Sequence, residues 1–172
     1  MTNEVVIKTE KLTKQFGDFI ATNEITFEVF KGEIFGFLGA NGAGKTTAMR
    51  MLCGLSIPSS GKATIAGFDV YKQTEEIKTN IGYMSQKFSL YEDLTILENI
   101  RFFGGIYGLS NNQINQKSNE LIETLGLQKD AKKLVSGLPL GFKQKLAFSV
   151  AILHEPKIVF LDELTGGFDP VT

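Results

Sequence analysis

A chain of 172 residues, 42% hydrophobic and 22% charged, is long enough for one domain with a real apolar core. Eighteen Lys and Arg against nineteen Asp and Glu leave a net charge of −1, which excludes the global basic field that draws a protein to nucleic acid or to an acidic membrane. The single Cys53 excludes an internal disulfide, and no apolar run reaches the roughly 18 residues of a membrane span. A cytoplasmic protein is expected, with any membrane role coming through a partner.

In chain order, Val5 to Ile7, Ile20, and Ile25 to Val29 sit in short β-type runs broken by Gly17 and Asn23, which predicts antiparallel strands. Residues 32–39, GEIFGFLG, form a nearly continuous apolar run ending in glycine, followed by the helix-forming KTTAMRMLCGL. That is the strand, loop, helix order of a parallel α/β unit. SGKATIAGFDV (60–70) supplies a further turn and strand and IGYMSQ (81–86) another short strand, so a mixed sheet is expected.

From about Leu94 the pattern becomes helical. TILENIRFFGGIYGL and NNQINQKSNELIETLGL carry apolar residues at helical spacing, among them Ile114, Leu121, Ile122 and Leu125. Residues 88–154 read as a helical insert, after which KIVFLDE (157–163), following Pro156, returns the chain to the sheet as a second buried strand.

Residues 39–46, GANGAGKT, match G-x-x-x-x-G-K-[ST] in full and stand between a predicted strand and a predicted helix. Gly39, Gly42 and Gly44 allow backbone angles and close approaches that side chains block, so successive N–H groups can converge on phosphate oxygens at a positive helix end. With Asn41 and Ala43 they are the candidate phosphate cradle. Lys45 reaches the β and γ phosphates, the Thr46 hydroxyl is a candidate Mg²⁺ ligand, and Thr47 is a further phosphate donor. The bland alternative is a Gly-rich turn opening a helix. Asp162 ends the apolar run Ile158 to Leu161, where a buried strand delivers a carboxylate as the second Mg²⁺ partner. Glu163, adjacent, is the candidate to orient or deprotonate an attacking water.

Together, LTKQFGDFIATNEITFEVFKGEIFGFLGANGAGKTTAMRMLCGLSIPSSGKATIAG, IGYMSQ and FLDELTGGFDP make the chain resemble the ATP-binding subunits of ABC transporters, most of all those of bacterial ABC-2 type and multidrug exporters. The resemblance implies an α/β P-loop NTPase (RecA-like) core with an N-terminal antiparallel β subdomain and an inserted α-helical subdomain. The expected partition is residues 1–30 and 60–70 for the β part, 31–59, 71–87 and 155–172 for the nucleotide-binding core, and 88–154 for the helical part. It further implies ATP and Mg²⁺ as cofactors. Phe16 stands where the family stacks an aromatic on adenine, although a core Phe in an edge strand is the plain alternative. Gln86 matches the Q-loop glutamine, which touches Mg²⁺ and the attacking water; alternatively its amide closes a loop. Asp169 matches the D-loop aspartate at the interface between two ATPase domains, and an Asp-Pro turn is compatible with that role.

The family's LSGGQ signature has two possible registers here, Val135 to Pro139 or Leu138 to Phe142. The spacing from Leu138 to Asp162 is that of the family, and this register puts Phe142, Leu146, Val150 and Leu153 on one helical stripe. Leu138, Pro139, Leu140 and Gly141 are therefore the candidate signature contacts. Pro139 in place of serine removes a hydroxyl and an N–H yet suits a first helical turn, so the loop is expected to close on ATP through backbone donors and the helix dipole, with weaker γ-phosphate sensing. Lys143 and Lys145 either add positive potential or form a solvated basic face.

Leu164 and Phe168 depart from the family's usual Pro and Leu, and the family's switch histidine follows the D-loop on a later strand, whereas this sequence stops at Thr172. His154, the only histidine, is expected at a helix end as a capping or dipole-compatible residue, not as a catalyst. The resemblance thus implies a C-terminally truncated ATPase domain that binds nucleotide, hydrolyses it poorly and leaves apolar surface and a sheet edge uncovered. The implied partners are a second ATPase domain, as homodimer or heterodimer, and a transmembrane permease holding the chain at the inner face of the cell membrane; no nucleic acid is expected. A soluble ABC-type ATPase acting on a ribosome or another macromolecule is the alternative, which long basic linkers or coiled-coil insertions would favour.

Overall fold

The computed structural model describes residues 4–40, 42–85 and 90–162, within two compact units, Met1–Ile81 and Gly82–Thr172. In the first unit β1 (Val5–Phe16) and β2 (Phe19–Phe30) form an antiparallel hairpin around Gly17. β3 (Ser60–Ile65) pairs with the other edge of β1 and β4 (Phe68–Asp69) with β3, giving the order β2-β1-β3-β4. The interruption read at Asn23 is a bulge within one long strand. The register slips between Leu12↔Ile25 and Lys14↔Thr22, Glu24 takes a φ of 45°, and its N–H donates to Thr13 Oγ1 at 3.0 Å.

α1 (Lys45–Leu52) buries Ala48, Met49, Met51 and Leu52, then stops at Cys53 and Gly54, whose φ of 68° suits glycine. α2 (Thr74–Asn80) buries one residue, Ile77, and runs directly into β5 (Ile81–Met84).

The apolar run 32–39 departs from expectation. It forms no strand, and the strands among the described residues lie in two sheets, the four-stranded one and the pair β5-β6 (Ile158–Leu161), where one mixed sheet was expected. Its side chains nonetheless alternate. Phe35 stacks on Phe27 of β2 (centroids 4.9 Å apart, planes at 10°) and Phe37 meets the same ring edge-on at 5.3 Å, while Ile34 and Leu38 are 100% and 97% exposed. A continuous apolar run marks a strand covered on both faces. Here one face makes ring contacts with Phe27 while Phe35 stays 42% exposed, and no backbone ladder holds the segment, so the periodicity survives without the strand.

The second unit is organised by three helices, α3 (Ile96–Ile106), α4 (Asn111–Thr124) and α5 (Leu140–Ala151). Ile96, Ile100, Ile122, Leu127, Val135, Leu146, Val150 and Leu153 form its apolar core. Both α3 and α4 begin with a capping box, Thr95 with Glu98 and Ser110 with Gln113. The predicted α5 stripe is buried at Leu146, Val150 and Leu153, and opens to solvent at Phe142. Segment 131–136 closes the start of α3: the N–H groups of Ile96 and Leu97 donate to Lys133 and Ala131 carbonyls, and Val135 N–H returns to Leu94.

Candidate nucleotide-binding site

The phosphate loop lies in the first unit. Gly42 and Gly44 have φ of 84° and 81°, the left-handed conformation that favours glycine, and Ala43 N–H closes a turn on the Ala40 carbonyl at 3.1 Å. Gly44 caps α1 without a side-chain hydrogen bond, and the first turn of α1 contains no acidic residue. α3 and α4 satisfy their N-termini with their own side chains; α1 presents a positive end that an anion can complete. Lys45 Nζ donates to the carbonyls of Gly39 (2.7 Å) and Ala40 (2.9 Å), so the ammonium folds over the start of the loop. Thr46 and Thr47 follow in the same helical turn. Asn41 lies outside the described residues.

Strand β2 supports this loop. Thr22 Oγ1 donates to the Gly44 carbonyl at 3.4 Å, and Thr22 is buried although it faces a polar loop. Its role was not read from the sequence, where a lone Thr within a strand carries no signal. Phe16 ends β1, opposite Phe19, and is 55% exposed, so it is not a core side chain, and β1 is an inner strand. From Phe19 to Ala21, which touches Gly44, is two strand residues, roughly 7 Å. The hairpin thereby sets Phe16 and the phosphate loop at one end of the same sheet.

In the second unit, Ser136 and Gly137 belong to the 3-10 turn Val135–Gly137, Leu138 ends it, and Pro139 caps α5 with φ −58°. Leu140 and Gly141 open the helix, and the space around Gly141 is clear. Lys143 does not add free positive charge, since it pairs with Glu92 at 2.6 Å; Lys145 lies over the Phe142 ring. Asp162, only 6% exposed, follows β6 directly, and its N–H donates to the Met84 carbonyl at 2.9 Å, tying that corner to β5. Gln86, Glu163 and Asp169 lie outside the described residues. His154 stands beyond the end of α5 and stacks on Tyr107, centroids 3.8 Å apart with planes at 16°. Burial pushes the Tyr107 phenol above its ordinary pKa.

The ABC transporter family model matches residues 22–166. The chain belongs to the ABC transporter family. It is 50% identical over 169 residues to the probable multidrug ABC transporter ATP-binding protein YbhF of Escherichia coli (strain K12), covering 98% of this chain and 29% of that protein. It is 42% identical over 166 residues to the bacitracin transport ATP-binding protein BcrA of Bacillus licheniformis, covering 96% of this chain and 53% of that one. A solved ATP-binding subunit of an ABC transporter superposes with a TM-score of 0.83 at 28% identity, covering 96% of this chain and 69% of that one. The chain thus spans about half, or less, of the length of these curated relatives. Its fold is the α/β P-loop NTPase fold of ABC ATPase domains.

Proposed function

We propose that this chain is the ATP-binding and ATP-hydrolysing part of an ABC exporter, pairing with a second ATPase domain and driving a transmembrane permease. The observation that carries the reading is the phosphate loop: two left-handed glycines, an α1 N-terminus without a side-chain cap or acidic residue, and a lysine ammonium folded onto the loop's own carbonyls. These groups fit an anionic polyphosphate. The same N–H groups and Lys45 are proposed to bind it, Lys45 exchanging the Gly39 and Ala40 carbonyls for phosphate oxygens. Asn41 and Ala43 complete the cradle, and Phe16 supplies the stacking surface for adenine.

Thr46 and the buried Asp162 fit Mg²⁺ chemically, as a hydroxyl and a carboxylate, hard oxygen donors of the kind that ion takes alongside phosphates. Bound Mg²⁺ would supply charge neutralisation on the phosphates. Gln86 is proposed to orient the attacking water and Glu163 to take its proton. Leu138, Pro139, Leu140 and Gly141 are proposed to meet the partner's nucleotide, with Asp169 at the same interface. No helix among the described residues is long and apolar enough to cross a membrane, and the permease is the proposed anchor.

The 172-residue polypeptide alone is proposed to bind nucleotide and turn it over more slowly than about 1 per second. Support comes from the segment preceding the phosphate loop, which holds to the sheet by Phe35 and Phe37 and carries no ladder. Titration with ATP tests the reading. Saturable Mg²⁺-dependent binding, lost in Lys45→Met, is expected, and equal binding by Lys45→Met overturns it.

A further inference from the structure

We infer that Lys14 is a positioning residue for the nucleobase: tethered by the Ile57 carbonyl, its ammonium covers one face of the Phe16 ring and leaves the other as the single stacking surface. The inference rests on the proposed stacking of adenine on Phe16.

Lys14 and Phe16 are alternate residues of β1 and so share one side of the strand. Lys14 Nζ lies 4.9 Å from the Phe16 ring centroid, inside the roughly 6 Å range of cation–π attraction. The same ammonium donates to the Ile57 carbonyl at 2.6 Å. An exposed lysine ordinarily samples many rotamers, but this one is held at its tip from a segment distant in sequence. That segment is itself fastened to the end of β1, because Gln15 N–H donates to Ser59 Oγ (3.0 Å) and Ser59 N–H donates to the Thr13 carbonyl (2.8 Å).

Phe16 sits at a hairpin end, opposite Phe19, with its side chain more than half exposed. The tethered ammonium orders the ring before any ligand arrives. A base then meets a surface whose orientation is already set, and the ordering cost of one side chain, worth roughly two- to tenfold in affinity, is not charged to binding. Lys14 also denies the base one of the two ring faces, so the base stacks on a single side of Phe16, whose strand partner Phe19 lies two residues before the Ala21 that touches Gly44.

The test uses the full-length protein and compares ATP with inorganic tripolyphosphate, which has no base, by calorimetry on wild type, Lys14→Met, Lys14→Arg, Phe16→Ala and the Lys14→Met/Phe16→Ala pair. Lys14→Met is expected to weaken ATP roughly two- to tenfold and leave tripolyphosphate unchanged. Lys14→Arg is expected to restore ATP affinity, and Lys14→Met to have no further effect once Phe16 is alanine. Unchanged ATP affinity in Lys14→Met overturns the inference, as does an equal loss for tripolyphosphate, which would report disturbance of the fold. If Phe16→Ala itself leaves ATP affinity intact, the stacking reading fails; if only Phe16→Ala weakens ATP, stacking stands and the role of Lys14 fails.

Discussion

The α-carbon of Gly44 is packed against the carbonyl group of Ala21. A Cβ there would lie 3.1 Å from the Ala21 carbonyl carbon and from Thr22 Oγ1, and closer still to the Ala21 oxygen. Gly42, with the same left-handed φ, faces open space. Gly44→Ala therefore meets both conformational strain and a backbone clash, and Gly42→Ala meets strain alone. Expected costs are about 2–4 kcal/mol for the first and about 1–2 kcal/mol for the second. Urea unfolding followed by circular dichroism reads the difference, and equal costs would show that Ala21 yields.

The two glycines also mark what the sequence can and cannot reveal. The motif spacing identified the loop, because phosphate chemistry constrains residue types at fixed separations. The contact of Gly44 with β2 depends on a strand more than twenty residues earlier, and no local pattern announces it. The apolar run 32–39 reads as a strand and forms none for a related reason: its period is legible, but a ladder partner is a property of tertiary structure. The bulge at Glu24 was legible as an interruption and not as a continuation, since register slips are set by both strands. The helices of the second unit were visible because each carries its own stripe, and two carry their own caps.

Asn99 is fully buried in α3, and its amide does the work of a backbone segment. Its Oδ1 accepts from Tyr91 N–H at 2.8 Å, and Nδ2 donates to the carbonyls of Tyr91 (2.9 Å) and Thr95 (3.0 Å). Asn99→Leu removes the partners of the Tyr91 N–H and carbonyl, while the Thr95 carbonyl keeps the backbone N–H of residue 99. A loss of about 2–4 kcal/mol is expected in urea unfolding of the second unit, and a change within about 0.5 kcal/mol would contradict it.

Glu98 offers a pH readout. Its carboxylate accepts from the Thr95 hydroxyl (2.7 Å) and the Thr95 N–H (2.8 Å), and these bonds, which favour the charged form, lower its pKa. The unfolded chain then binds the proton more readily than the folded one. The contribution is complete above the ordinary carboxylate value and disappears as pH falls through the lowered folded value. An NMR titration of Glu98 should give a midpoint below the ordinary value, moving up in Thr95→Val. A midpoint at or above the ordinary value in the wild type would remove the basis for this window.

Gly141 separates a folding role from an interface role. The clear space around it accommodates Gly141→Asp, and an acid in the first turn of α5 suits the helix dipole. Stability should hold within about 0.5 kcal/mol. If the altered signature meets a partner's γ-phosphate, the new carboxylate repels it, and ATP-dependent dimerisation of the full-length protein, followed by light scattering, should be lost. Unchanged dimerisation would sink the proposed contact.

Phe35 and Phe37 grip Phe27, whereas Ile34 and Leu38 on the opposite side of the same segment touch solvent, so neighbouring substitutions should behave oppositely in the 172-residue polypeptide. Phe37→Ala removes an edge-on ring contact and part-buried apolar area, at an expected cost of about 1–3 kcal/mol. Ile34→Thr with Leu38→Thr removes little buried area and should leave unfolding within about 0.5 kcal/mol, yet lower concentration-dependent association, because exposed apolar side chains on an extended, unladdered segment invite contact with a second copy. Sedimentation velocity across a concentration series distinguishes the two sides. Association that persists in the double variant would place the adhesive surface elsewhere, and a large stability loss would mean that Ile34 and Leu38 are covered in solution.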